Sequence, residues 1–301
     1  MDRRDFLKDL ALGGLVIQFG PSLLAQTPKP GPGAGVPDLA LIQGNSPAAI
    51  TKEAIAALGG MTKFVSKGDV VMIKPNIGWD RTPEMAACTN PEVVKALVEM
   101  SLNAGAKKAI VMDNTINQAQ RCYARSGIQA AAKEAGADVL FVNPRHIKKM
   151  AIKGEWLKEW DIIQDFVEAD KIINVPIVKN HSLCRATLGM KNWLGAIAGS
   201  RNQLHQKLDQ AVIDLAAFFK PTLTVIDAYR ILVRNGPQGG RPSDTKLMKT
   251  VVAGKDYVAA DALGATFLDL SPADLPFLRL AYQKGFGEIN PEKLRIEKRT
   301  I

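Results

Sequence analysis

Cysteine is scarce in this sequence, with three residues among 301. Cys88, Cys122 and Cys184 are far apart, and no two of them form a Cys-x-x-Cys pair. One chain therefore cannot supply a four-cysteine cluster or a zinc knuckle, which argues against an iron–sulfur cluster in this chain. An oxidising compartment would permit one disulfide, but the odd count and the wide spacing favour buried free thiols.

Aromatic residues are also few, at 6%, and the 39 lysines and arginines are scattered rather than grouped. The net charge of +9 comes with no recognition helix and no stacking platform, so we expect no nucleic-acid partner. Such a charge equally suits anionic lipid or acidic small ligands. Hydrophobic residues at 47% and charged residues at 23% are typical of a globular chain and exclude a disordered, collagenous or polytopic membrane protein.

The sequence lacks an apolar run long enough to span a bilayer. The run from Leu10 to Phe19 is about half of the ~20 residues that a spanning helix needs. It follows Arg3 and Arg4, and this pattern looks like a twin-arginine signal peptide over residues 1–25. We therefore expect the twin-arginine translocase as a partner during export, a periplasmic or otherwise extracytoplasmic location, and no stable transmembrane span after cleavage. The alternative is a cytosolic amphipathic N-terminus with two surface arginines.

Beyond the leader, short β-branched apolar runs alternate with helical patterns, which predicts βαβ units. We expect an α/β fold with a mainly parallel twisted sheet, flanking helices and two pseudo-Rossmann-like lobes. Residues 26–38 form a Pro/Gly-rich linker, and residues 39–301 form a single large α/β domain. Within it, the two lobes span residues 39–145 and 166–270, with a polar excursion over residues 146–165.

Polar residues follow four of the predicted strands. Any one of them fits the exposure of loops, but in open α/β sheets ligands bind outside the carboxyl ends of the strands, so the four together predict a ligand-binding crevice. The strands and their polar successors are 70–73 with Lys74 and Asn76, 109–112 with Asp113, 171–178 with Lys179 and His181, and 223–226 with Asp227.

Cations dominate this predicted crevice. Lys74, Lys179 and Lys191, with Arg185 and Arg201 as further candidates, favour a small anionic ligand that carries a carboxylate or phosphate group. Asn76 and Asn192 are expected to orient that ligand. The glycines around Lys191 and Asn192 would let backbone approach it, although neither glycine-rich segment has a nucleotide-binding pattern.

Two histidines could add chemistry to the crevice. Asn202 as an N-cap would place His205 in a first helical turn, where the helix dipole disfavours the imidazolium. One interpretation makes His181, His205 and Asp113 catalytic. Another makes His181 and His205, with Asp227, ligands of a divalent metal. A structural role is the alternative for either histidine, and the sequence identifies no cofactor.

The combined motifs resemble the domain-of-unknown-function family numbered 362 over most of the chain, from about residue 40 to 270. The resemblance implies an α/β domain with the Lys, Asn and His motifs grouped together, and no settled activity. Many relatives carry a ferredoxin-like segment, which this chain lacks. The motifs are Ile73-Lys74-Pro75-Asn76, Thr89-Asn90-Pro91-Glu92, Gly105-Ala106-Lys107 leading to Asp113, Lys179-Asn180-His181, Gly189-Met190-Lys191-Asn192-Trp193-Leu194-Gly195, His205, Asp227 and Gly236-Pro237.

Three functions fit these observations. The first is an exported enzyme, linked to redox metabolism or not, that acts on a small anionic substrate. The second is a non-catalytic protein that binds the anion or a metal. The third is an accessory subunit of an exported redox complex.

Overall fold

The buried apolar runs of the sequence become strands in the structure, a computed structural model that describes residues 36–301. The strands are β1 Leu39–Gln43, β2 Val70–Pro75, β3 Lys108–Val111, β4 Asp138–Val139, β5 Ile147–Ala151, β6 Glu159–Ile163, β7 Lys171–Val175, β8 Ile177–His181, β9 Arg185–Thr187, β10 Leu223–Leu232, β11 Thr245–Gly254 and β12 Ile296–Thr300. The α-helices are α1 Pro47–Ala57, α2 Pro91–Asn103, α3 Ala119–Arg125, α4 Ile128–Glu134, α5 Asp165–Glu168, α6 Gly189–Asn192, α7 Leu208–Phe219, α8 Tyr257–Thr266 and α9 Pro276–Gln283. The signal peptide and almost all of the linker that the sequence predicts lie outside the described residues.

A single ten-stranded sheet carries most of these strands, in the order β12-β1-β11-β10-β7-β2-β3-β4, with β8 paired to β10 and β9 paired to β8. Strands β2, β3, β4 and β7 run parallel, whereas β11 is antiparallel to both of its neighbours. The predicted α/β fold with a mainly parallel sheet is confirmed, and strands from both predicted lobes belong to this one sheet. Because β3 lies on one side of β2 and β7 lies on the other, the topological switch point falls between β2 and β7.

The helix α2 shows how the sequence fixes these elements. Asn90 caps its N-terminus by accepting a hydrogen bond from the backbone N–H of Glu92 at 2.9 Å, and Pro91 occupies the first turn. Its inner face, with Val93 and Leu97 fully buried, packs into the core beside β2. The α2 segment therefore forms as its capping pattern predicts.

The polar excursion over residues 146–165 contains a β-hairpin. Strands β5 and β6 pair antiparallel in a separate two-stranded sheet. Trp160 on β6 donates its indole N–H to the carbonyl oxygen of Ala198 at 2.9 Å. The hairpin is thereby joined to the loop that precedes residues 201–207.

Two predicted strands have different limits in the structure. The apolar run 171–178 is split by Pro176 into β7 and β8, because proline has no N–H for the ladder. Strand β10 does not stop at Ile226 but continues through Asp227 to Leu232, since its pairing with β11 persists. Asp227 is therefore a strand residue.

All three cysteines are buried and free, as their spacing predicts. Residues 201–207 form a 3₁₀ helix preceded by Ser200, so His205 does not lie in the first turn of an α-helix capped by Asn202. Among residues 36–301, every helix is too short or too polar to cross a bilayer.

Candidate functional site

A cavity of about 790 Å³ opens at the carboxyl ends of β2 and β3 and along β8. This is the edge of the sheet that the sequence predicts for ligand binding, at the switch point beside β2. Lys74 and Asp227 are absent from its lining, and so is Arg185. The predicted site residues that do line it are Asn76, Asp113, Lys179, His181, Lys191, Asn192, Arg201 and His205.

Lys74 and Asp113 form a buried ion pair at this edge. Nζ of Lys74 lies 2.6 Å from Oδ1 of Asp113, and the two side chains are 0% and 3% exposed. Burial lowers the pKa of Lys74, and the charge of Asp113 opposes that shift. The other carboxylate oxygen accepts the backbone N–H of Ile77 at 2.6 Å. Lys74 thus neutralises Asp113 instead of facing a ligand.

Gly195 allows the backbone to pass close to this ion pair. A Cβ atom at position 195 would overlap the carboxylate of Asp113 and crowd Nζ of Lys74. The carbonyl oxygen of Gly195 also accepts the backbone N–H of Asn114 at 2.8 Å. The glycine therefore lets the segment after α6 close against the strand ends.

A chain of asparagines fixes the floor of the cavity. Asn76 Nδ2 donates to Asn192 Oδ1 at 3.2 Å, and Asn192 Nδ2 donates to Asn174 Oδ1 at 2.9 Å. Asn174 in turn donates to the carbonyl oxygen of Gly189 at 2.8 Å. Sequence reasoning did not single out Asn174, although it is the one polar residue between Ile172 and Val178 and is fully buried.

Lys179 extends from β8 into this network. Its Nζ donates to Asn76 Oδ1 at 3.0 Å and to the carbonyl oxygen of Ala87 at 2.6 Å. Burial lowers the pKa of Lys179 to about 7, and the neighbouring cations Lys191 and Lys74 act in the same direction. Among residues 36–301, no carboxylate forms an ion pair with Lys179.

Lys191 is held in the cavity by the short helix α6. Both carboxylate oxygens of Asp261 accept backbone N–H groups at the start of this helix, from Gly189 at 2.6 Å and from Met190 at 2.8 Å. Burial lowers the pKa of Lys191 and raises that of Asp261 to about 7. Asp261 was not predicted, because it lies within the apolar pattern of α8 and its contact with α6 spans 72 residues.

Thr187 contributes a hydroxyl without a partner. It is 3% exposed, lines the cavity, and its Oγ1 has no hydrogen bond within the described chain. A buried hydroxyl in this state bears an uncompensated desolvation cost unless a ligand satisfies it. Thr187 lies opposite Lys179 in the register of β8 and β9.

The two histidines differ in the tautomer that their contacts favour. His181 Nδ1 accepts the backbone N–H of Leu183 at 3.1 Å, so its proton is on Nε2. Burial, reinforced by Lys191 and Lys179, lowers the pKa of His181 to about 3. His205 is exposed, and its Nδ1 lies 3.1 Å from the carbonyl oxygen of Asn202, so its neutral ring carries the lone pair on Nε2. The free nitrogen of His181 is therefore a hydrogen-bond donor, and that of a neutral His205 ring is an acceptor.

Asp227 does not line the cavity with His181 and His205. It is fully buried within β10, and its two oxygens accept the backbone N–H groups of Asn90 and Tyr229 at 2.7 and 2.9 Å. This placement removes Asp227 from the metal-ligand set predicted with His181 and His205. Within residues 36–301, no three His, Cys, Asp or Glu side chains are grouped so that they could hold a metal ion.

Arg201 has a positioning role at the rim. Its guanidinium donates to the carbonyl oxygens of Asn114, Leu194 and Thr115 at 2.9, 3.1 and 2.7 Å. It therefore joins the loop after β3 to the segment after α6. The cavity also has an apolar side that the sequence did not indicate, formed by Trp79, Ile116, Leu194 and Pro237.

The chain is similar to known proteins both in sequence and in structure. Thylakoid-associated protein sll1697 of Synechocystis sp. is 27% identical over 242 residues, which cover 78% of this chain and 73% of that protein. The lactate racemase apoprotein from Thermoanaerobacterium thermosaccharolyticum matches in structure with a TM-score of 0.49 and 14% sequence identity. That match covers 78% of this chain and 57% of the racemase chain.

The sequence profile described as "Domain of unknown function (DUF362)" matches residues 71–266. This span begins in β2, ends in α8 and contains every residue described above as lining the cavity. The chain belongs to the DUF362 family.

Proposed function

We propose that the cavity binds a small anion that carries a carboxylate or phosphate group. The observation that supports this proposal is the balance of charge in the lining. Asp113 is the one acidic residue among those of the described chain that form it, and Lys74 already neutralises this carboxylate. Lys191, and Lys179 in its protonated form, therefore carry charge that an anionic ligand can compensate.

Neutral donors complete the proposed anion site. The hydroxyl of Thr187 has no partner within the described residues, and the Nε2–H of His181 is not engaged by the contact that occupies Nδ1. Asn76 and Asn192 are held in place by the amide chain and position Lys179 and α6. Two cations and two neutral donors suit the several acceptor oxygens of a carboxylate or phosphate.

Isothermal titration calorimetry with inorganic phosphate tests this proposal. Lys191→Met should weaken phosphate binding at least tenfold because it removes a charge-assisted hydrogen bond. Lys107→Met is the matched control, since Lys107 is exposed and precedes β3 at the opposite edge of the sheet. Absence of phosphate binding in the unmodified protein, or equal affinity in both variants, would count against the anion site.

We also infer export by the twin-arginine route, on the pattern of Arg3 and Arg4 before the apolar run from Leu10 to Phe19. The thylakoid association of the Synechocystis relative is compatible with an extracytoplasmic location. Replacing Arg3 and Arg4 together by lysine keeps the charge but removes the arginine pair. Cell fractionation should then find the full-length chain retained in the cytoplasm, and continued efficient export would contradict this route.

A further inference from the structure

The amino group of Lys179 is held by two neutral acceptors and by no anion among residues 36–301. These are Asn76 Oδ1 at 3.0 Å and the carbonyl oxygen of Ala87 at 2.6 Å. A neutral amine has two N–H bonds and one lone pair. Its two N–H bonds match the two acceptors, and the fourth position of the nitrogen is then occupied by the lone pair.

The surroundings of Lys179 make this neutral form accessible near pH 7. Its side chain is 1% exposed, and burial together with the cations Lys191 and Lys74 brings its pKa to about 7. A desolvated lysine beside another cation is a recognised nucleophile for carbonyl carbon. The nearby Cys88 does not compete, because burial raises the pKa of its thiol to about 12 and its Sγ donates to the carbonyl oxygen of Trp79.

Donors for an anion lie beside this amine. Thr187 faces Lys179 in the register of β8 and β9, and its Oγ1 lacks a partner within the described residues. His181 lies two residues farther along β8 and therefore projects to the same side as Lys179. Lys191 lines the same cavity. A carboxylate recognised here would be close to the carbon that Lys179 reaches.

We propose that Lys179 forms an imine with the carbonyl carbon of a 2-oxo acid, whose adjacent carboxylate is bound by Lys191, Thr187 and His181. The proposal deepens the proposed anion site and rests on it, because the carboxylate is the anion. It assigns a substrate class, 2-oxo acids, and makes Lys179 a catalytic residue.

The step balances without a further reactant. The lone pair of Lys179 Nζ attacks the carbonyl carbon and forms the C–N bond. The carbonyl oxygen leaves as water with the two hydrogens of the amine, so that a C=N bond replaces the C=O bond. Uptake of one proton from solvent gives the iminium form, which keeps one N–H for Asn76 Oδ1 or for the carbonyl oxygen of Ala87.

Reductive trapping in the full-length protein tests the imine. The protein is incubated separately with pyruvate, 2-oxoglutarate and phenylpyruvate in the presence of cyanoborohydride, which reduces an imine to a stable secondary amine. Peptide mapping by mass spectrometry then locates the adduct. We expect stoichiometric modification of Lys179 with at least one of the three acids, and at least a tenfold excess over any other lysine.

Two controls separate imine formation from anion binding. Propionate has the carboxylate of pyruvate but no carbonyl, so it should compete with trapping and leave no adduct. Lys179→Met should abolish the adduct, whereas Lys107→Met should keep it. If Lys179→Met does not fold, the map of the unmodified protein still decides which lysine has reacted.

The outcomes distinguish this inference from the function on which it rests. Phosphate or propionate binding without an adduct on Lys179 from any of the three acids would overturn the imine and leave the anion site intact. An adduct spread over exposed lysines would overturn it equally. If phosphate and the carboxylates all fail to bind the unmodified protein, the anion site itself is wrong.

Discussion

Lys74 Nζ and Asp113 Oδ1 lie 2.6 Å apart at the carboxyl ends of β2 and β3, in a pair that is almost completely buried. Because of this contact, the carboxylate of Asp113 adds no net negative charge to the cavity. Asp113, the acidic residue of the lining, is neutralised by Lys74, which does not line the cavity. Lys179 on β8 and Lys191 on α6 therefore remain available to a ligand.

The buried pair should be costly to break. Lys74→Met leaves the Asp113 carboxylate buried without its cation, and we expect a loss of about 3–5 kcal/mol in the free energy of unfolding. Urea denaturation measures this loss. Lys52→Met is the control, since Lys52 pairs with Glu99 at the surface and exposed pairs contribute about 0–1 kcal/mol. Similar losses in both variants would show that the Lys74 pair does not have the assigned weight.

Gly195→Ala should introduce a steric clash with the Lys74–Asp113 ion pair. The added Cβ overlaps the Asp113 carboxylate, and we expect a destabilisation of about 1–3 kcal/mol together with weaker phosphate binding. Gly240→Ala serves as the comparison, because a Cβ at Gly240 meets no atom within 4 Å. Thermal unfolding and calorimetry on both variants check this expectation, which fails if Gly195→Ala behaves like Gly240→Ala.

Thr187 and Thr224 form a matched pair of buried hydroxyls. Neither Oγ1 has a partner within the described chain, but only Thr187 lines the cavity. Replacing either by valine should leave stability unchanged or raise it, since an unsatisfied buried group is removed. Only Thr187→Val should weaken phosphate binding, by roughly tenfold for one lost hydrogen bond. Equal affinities in the two variants would remove Thr187 from the anion site.

Stability should rise with pH just above neutrality. The pKa of Lys179 is about 7 in the folded protein, whereas a lysine free of burial has a pKa of 10.5, so the unfolded chain binds more protons between these values. The free energy of unfolding therefore increases with pH in this window, by at most about 1.4 kcal/mol per unit from this residue. Below pH 7 both states are protonated and the penalty is fully present.

Between pH 7 and 8.5, comparison with Lys179→Met separates this contribution from those of Lys74 and Lys191, whose lowered pKa values act in the same direction. Above that range, the raised pKa values of Cys88 and Cys184 act in the opposite direction. Below it, the raised pKa of Asp261 does so. Urea midpoints across the window should rise less steeply in Lys179→Met than in the unmodified protein, and parallel curves would place the pKa of Lys179 outside it.

The place of the cavity could be predicted from the sequence because the carboxyl ends of parallel strands share one edge of the sheet. Lys179 and Asn76 are 103 residues apart, but Asn76 follows β2 directly and Lys179 lies in β8, just beyond the carboxyl end of β7, the parallel neighbour of β2. Asp227 was misplaced by the same logic. A polar residue after an apolar run looks like a strand end, whereas pairing with β11 carries β10 past it.

The residues that support the cavity are harder to predict from the sequence. Asn174 and Asp261 are polar positions inside buried segments, and their partners are the backbone of α6. Nothing local in the sequence distinguishes such a residue from one that is simply exposed. The tautomer of His181 depends equally on its contact with Leu183, which appears only in the folded chain.

The position of a bound anion tests the central claim most directly. Crystals of the protein soaked in selenate, a heavier analogue of sulfate, would reveal the anion by anomalous scattering. We expect a peak within hydrogen-bond distance of Lys191 Nζ and Thr187 Oγ1, and its loss in Lys191→Met crystals. An empty cavity under these conditions, or selenate bound solely at surface lysines, would contradict an anion site at this edge of the sheet.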